Sequence, residues 1–106
     1  MSYTKVNYRN VDPVAGGLHF LRKPLNCVNL GLSVRELSPG EEGMEHDHAG
    51  DDQEEVYLLL EGGLTMTIEG EAVEMGPGDA LRIGPGTTRQ LENGDEESLL
   101  VIAGAP

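Results

Sequence analysis

Glycine and proline recur so often in this chain that no helix of ordinary length fits between them. Fifteen glycines and six prolines are spread over 106 residues, and they cluster in SPGEEG, LEGG, MGPGD, IGPGT and ENGD. Each cluster ends the element before it, because glycine supplies the backbone freedom of turns and proline removes a donor. Between them lie VNLGLSVREL, EEVYLLL, DALRI, TTRQLE and SLLVIA, short segments rich in branched apolar residues. They have the length and composition of strands. LTMTIEGEAVEM predicts a hairpin. Leu64, Met66 and Ile68 share one face, a turn lies around Glu69-Gly70-Glu71, and either Ala72 and Glu74 or Val73 and Met75 point inward on the return. Many short strands with regular turns predict an all-β sandwich or barrel of antiparallel strands. Residues 1–24, with Pro13, Gly16, Gly17 and Pro24, are less regular and predict an N-terminal arm or edge strand, leaving 25–106 as the barrel domain.

The length is that of one compact domain with one modest core. No stretch has the roughly 18 to 20 apolar residues of a membrane helix, and MSYTKVNYRN has no apolar signal core, so the expectation is a soluble, cytoplasmic protein without a membrane partner. One cysteine, Cys27, excludes an internal disulfide or a CxxC redox centre and reads as a small buried hydrophobe. Seven basic residues against nineteen acidic ones give a net charge of −12. Only Lys5 and Lys23 are lysines, and the acids are scattered along the chain. On charge, the expectation is no nucleic-acid partner. A solvated acidic surface poor in lysine points to a salt-accumulating, halophilic source, since salt screens self-repulsion.

Two of the three histidines stand one residue apart in EHDHAGDDQEEVYLLLEGG, residues 45–63. On an extended segment the period of two sends His46 and His48 to one face and Asp47 to the other. On the next strand Glu55, Tyr57 and Leu59 share a face. An antiparallel pairing would set Glu55 beside the histidines. Two imidazoles and one carboxylate suit a divalent first-row metal (Fe, Mn, Ni, Cu or Zn) and leave positions open for water or substrate.

From Gly40 the sequence resembles the first motif of the cupins: Gly40, five residues, His46, Asp47, His48, then Glu55, six residues and Gly62. The loop AGDDQE puts six residues between His48 and Glu55, where the family pattern has three or four. Counting from His48 selects Asp52 or Gln53. Counting back from Gly62 selects Glu55, and strand register is the better guide because loops absorb insertions. The second cupin motif is similar to the stretch from Gly78 through Gly84, Pro85 and Gly86 to Asn93, with Gly84 in the place of proline and Arg89 in the place of histidine. The resemblance runs from about Gly31 to Ala103. It implies a double-stranded β-helix, a jelly-roll-like barrel, commonly homodimeric, with a metal inside the barrel mouth.

Arg89 departs from that pattern. A guanidinium has no lone pair for a metal, so the four-ligand site is absent. Three readings stay open: Arg89 pairs with Glu55 and leaves a degraded, metal-free site; His46, His48 and Glu55 hold a metal while Arg89 binds an anionic substrate; or Arg89 is structural. Tyr57 reads as a pocket-lining or core residue, Met44 as packing, and His19 as a surface or edge-strand residue. Arg82 faces either pocket or solvent. No nucleophile elbow, P-loop, GxGxxG or CxxC occurs. The functional expectations are therefore a metal-dependent enzyme of oxygenase or isomerase type acting on a small anionic molecule, or a non-catalytic small-ligand-binding barrel. Catalytic residues beyond the ligands are not identifiable.

Overall fold

Eight strands and one 3-10 turn make up the regular structure of the computed structural model, which describes residues 2–106. The turn is Tyr8–Asn10. The strands are β1 (Leu18–Phe20), β2 (Gly31–Leu37), β3 (Glu54–Glu61), β4 (Leu64–Ile68), β5 (Glu71–Met75), β6 (Ala80–Ile83), β7 (Arg89–Asn93) and β8 (Ser98–Ala105). All pair antiparallel, in a five-stranded sheet of order β1-β2-β8-β3-β6 and a three-stranded sheet of order β5-β4-β7. The fold is an all-β double-stranded β-helix. Among the described residues no helix is long and apolar enough to cross a membrane.

Side-chain alternation builds the core. On β3, Tyr57 and Leu59 are buried while Glu54 and Val56 face outward. Leu59 and Leu100 of the five-stranded sheet meet Leu64, Met66 and Leu91 of the three-stranded sheet in one cluster. In the β4–β5 hairpin Glu69 and Gly70 both have positive φ, 49° and 81°, which is a two-residue turn of the kind that matches strand twist. Its register opposes Met66 to Val73 and Leu64 to Met75, so Val73 and Met75 are the inward pair. After β3 the chain turns at Gly62, with φ of 89°, where any side chain would collide with Ser98 Oγ.

Within the first 24 residues, Leu18–Phe20 pairs with β2 as an edge strand. Outside the site, His19 takes its edge-strand reading, on β1, and the surface alternative falls away; two further expectations, for Cys27 and Met44, are corrected. His19 is buried, because the N-terminal arm folds back over it: its Nδ1 lies 2.7 Å from the Val11 carbonyl and the Tyr8 ring meets it edge-on at 5.1 Å. Cys27 is only half-buried, since it lies in the β1–β2 connection outside the core. Met44 is exposed, because the segment that carries it runs along the barrel mouth with nothing packed above it.

Candidate metal centre

The histidines and the glutamate come from opposite walls. The chain from residue 42 to residue 48 runs antiparallel to β7, bridging Glu42 to Glu92 and His46 to Arg89. The His46 amide donates to the Arg89 carbonyl at 3.0 Å and the His48 amide to the Pro85 carbonyl at 2.7 Å. Extended backbone sends both imidazoles to the same side, with rings edge to face and centroids 5.2 Å apart. Glu55 lies near the start of β3 in the other sheet, opposite Gly104 of β8 and Ile83 of β6. The expected strand pairing between histidines and glutamate is therefore absent; closure of the barrel brings them together. Gly104 leaves the room this needs, because a Cβ there would lie 3.3 Å from Glu55 Cγ.

Glu55 Oε1 is 3.2 Å from His48 Nε2 and 3.7 Å from His46 Nε2. One ligand atom from each of the three residues lies within 4.8 Å of the other two. Ligands at about 2.1 Å from one first-row ion are roughly 3.0–3.4 Å apart, so small side-chain rotations would complete the site. Outer contacts favour ligand-ready tautomers. His46 Nδ1 is 3.0 Å from the Met44 carbonyl and His48 Nδ1 is 3.0 Å from the Asp51 carboxylate. A proton donated from each Nδ1 leaves an Nε2 lone pair for a metal. His48 Nε2 is buried and out of hydrogen-bonding alignment with any partner. These features fit a divalent ion.

The electrostatics are those of a closely coupled group. The Glu55 carboxylate beside it raises His46 above the ordinary imidazole range, against the lowering effect of burial. Burial pushes the Glu55 carboxyl up, but the neighbouring His46 imidazole and the hydrogen bond from the Tyr57 hydroxyl, at 2.6 Å, outweigh it and hold Glu55 below the usual range. Burial and the bond to Glu55 push the Tyr57 hydroxyl well up, so it stays a donor. Its ring is core and its hydroxyl reaches the site.

Arg89 is 1% exposed. Its Nη2 donates to the Gly84 carbonyl at 3.0 Å, while Nε and Nη1 are buried without a partner. No carboxylate pairs with it among the described residues, so the bidentate Arg89–Glu55 pair is not formed; Glu55 accepts from the Tyr57 hydroxyl and lies against the two imidazoles. Arg89 shares a cavity of about 420 Å³ with His46, His48, Glu55 and Tyr57, over an apolar floor that includes Met66, Leu91 and Ile102. Arg82 instead points to solvent and pairs with Glu54 at 2.8 Å. Asp52 is exposed in the loop, away from the cluster.

Two residues escaped the sequence reading. Asp51 orients His48 from three residues on, a spacing visible in the AGDD loop. Arg35 also lines the cavity; alternation with Leu37 in LSVREL would have placed it inward.

The cupin domain family model matches residues 33–103. No match was found among curated proteins. Among solved structures, the chain is similar to a cupin protein from Bacteroides fragilis, with 26% identity, a TM-score of 0.77, and coverage of 95% of this chain and 86% of that one. It is similar in fold to a sugar phosphate isomerase of the cupin superfamily from Silicibacter pomeroyi, with 20% identity, a TM-score of 0.79 and coverage of 96% and 75%. It also resembles an oxalate decarboxylase variant from Bacillus subtilis, with 18% identity and a TM-score of 0.84, where it covers 99% of this chain and 30% of the other. Matched family motifs, two facing antiparallel sheets and a histidine pair at the barrel mouth agree, and the chain belongs to the cupin domain family.

Proposed function

We propose that this protein holds a divalent first-row metal (Fe, Mn, Ni, Cu or Zn) on His46, His48 and Glu55 and converts a small anionic molecule there, as an enzyme of oxygenase or isomerase type. The observation that carries the reading is the convergence of three ligand atoms within 4.8 Å, each ligand residue held by an outer hydrogen bond. Bound metal would supply a Lewis acid that polarises a coordinated oxygen. Met44 and Asp51 orient the imidazoles, and Tyr57 orients Glu55 and helps to keep it ionised. Arg89 opposes a bare dication, but an anion between the two reverses the sign of that interaction. Its unpartnered Nη1 and Nε therefore suit a carboxylate or other oxyanion that also reaches the metal. Two structural neighbours bear names for chemistry on small anions, a sugar phosphate and oxalate, which supports the substrate class.

The buried, unpaired charge of Arg89 beside the ligands favours a second reading, a metal-free barrel that binds a small ligand without catalysis. Elemental analysis of protein purified without chelator or nickel resin, followed by calorimetric titration with Mn(II) or Zn(II), separates the two. Under the metal reading the protein binds the ion, binds it more tightly with butyrate present, and loses binding in His48→Ala. Arg89→His removes the fixed charge and adds an imidazole, so it should bind metal more tightly and lose the coupling to butyrate. No metal binding by the native protein, with or without butyrate, would leave the second reading.

A further inference from the structure

The cavity holds a second buried guanidinium. Along β2, Ser33, Arg35 and Leu37 alternate inward, and Arg35 stands opposite Leu100, which is fully buried. Only 11% of the Arg35 side chain is exposed, and its Nε is buried without a partner. Its one ion pair among the described residues is long, 3.5 Å from Nη2 to Glu41 Oε2, and Glu41 divides itself by also accepting from the Ser38 amide at 3.1 Å. Gly43 above it has no side chain to crowd the guanidinium: a Cβ there would lie 3.4 Å from Arg35 Nη1 and 3.0 Å from Leu91 Cγ. Arg35 and Arg89 thus stand on different walls of one cavity, each with donors left unused.

Burying a cation without a good partner is costly, and this chain has nineteen acids with which to pair it. Planar forks with free donors suit carboxylate or phosphate oxygens. With a dication on His46, His48 and Glu55, the metal and two arginines exceed Glu55 and Glu41 by two positive charges; Glu42 stands exposed at the rim. We propose that the ligand is a small molecule with two anionic groups, the first held by Arg89 and the second, a carboxylate (making a dianion) or a phosphate, by Arg35, which is thereby a specificity-determining residue. This rests on the reading of Arg89 as the receptor of an anion.

Butyrate and succinate differ chiefly in the second carboxylate, and phosphoglycolate offers a phosphate in its place. Calorimetric titrations at equal ionic strength, on Mn(II)-loaded and on chelator-treated protein, should show succinate or phosphoglycolate binding at least tenfold more tightly than butyrate, and the tighter of the two names the second group. Arg35→Met should abolish that advantage and leave butyrate affinity within twofold. Glu41→Gln, which frees Arg35 from its competing carboxylate while keeping an acceptor for the Ser38 amide, should tighten the dianion and not butyrate. Equal affinities for all three ligands in both metal states would overturn the proposal, as would an Arg35→Met variant that weakens them all alike. If Arg35→Met does not fold, an unchanged dianion affinity in Glu41→Gln overturns it. Titration of the same preparation with Mn(II) alone tests the metal reading separately: protein that discriminates dianions but takes no metal retains Arg35 and loses the metal, and the converse result does the opposite.

Discussion

His46 and Glu55 titrate as partners, and the sign of each shift sets a pH window. His46 lies above its ordinary 6.5 because Glu55 holds its proton, so in metal-free protein its contribution to stability is fully present below 6.5 and is lost as pH rises through the raised value. Glu55 lies below its ordinary 4.5, so its contribution is present above 4.5 and is lost as pH falls through the lowered value. Chelator-treated protein should draw most from this pair between those two ordinary values. A metal must displace the His46 proton, so metal affinity should fall steadily as pH is lowered from above the raised His46 value to below its ordinary 6.5. Calorimetric titrations across that range, with unfolding midpoints measured with and without chelator, read both effects. Metal affinity that stays flat across the range would remove His46 from the ligand set.

At the scale of elements, Asn93 shows how the end of β7 is tied to its neighbours. The residue is 4% exposed. Its amide donates to the Ser38 and Glu96 carbonyls, each at 2.8 Å, and its oxygen accepts from Ser98 Oγ at 2.6 Å. The family motif that closes on this asparagine is thus an anchor among the strand ends, at the opposite end of β7 from Arg89. Asn93→Leu would orphan two part-buried carbonyls and one buried hydroxyl, at a cost of about 3 kcal/mol or more when each loss is worth roughly 1 kcal/mol at the low end of its range. Thermal unfolding should show a clearly lowered midpoint, while Mn(II) affinity stays within about twofold. A loss of metal affinity as large as that in His48→Ala would place Asn93 in the site instead.

For the whole molecule, the outer face of the five-stranded sheet and its charge matter together. Register puts Val34, Val101 and Leu58 in one cross-strand row and Leu32, Ala103 and Val56 in the next. Val56 is 39% exposed and Leu60 45%. An apolar sheet face of this kind is simplest to cover with a second copy, and we expect a homodimer. Light scattering at micromolar concentration in molar sodium chloride checks this, with Val56→Asp expected to give monomers; native protein that is already monomeric there would refute it. The net charge of −12 opposes both folding and pairing at low salt. Unfolding midpoints should therefore rise between low and molar sodium chloride. A flat or falling midpoint would remove the expectation of a halophilic source.

Much was legible in the chain itself, because turns and alternation are local properties. The spacing of glycine and proline excluded helices, the hairpin at Glu69-Gly70 could be read from adjacent residues, and a period of two was enough to set His46 with His48 and Glu55 with Tyr57. Which groups meet across the barrel was not legible, since that depends on how two sheets close over a core. Closure set Glu55 against the histidines without any strand pairing between them, left Arg89 with a backbone carbonyl in place of a carboxylate, and turned Arg35 into the same cavity. Residue types and spacings determined which ligands this chain can offer; long-range packing decided which charges stand unpaired beside them.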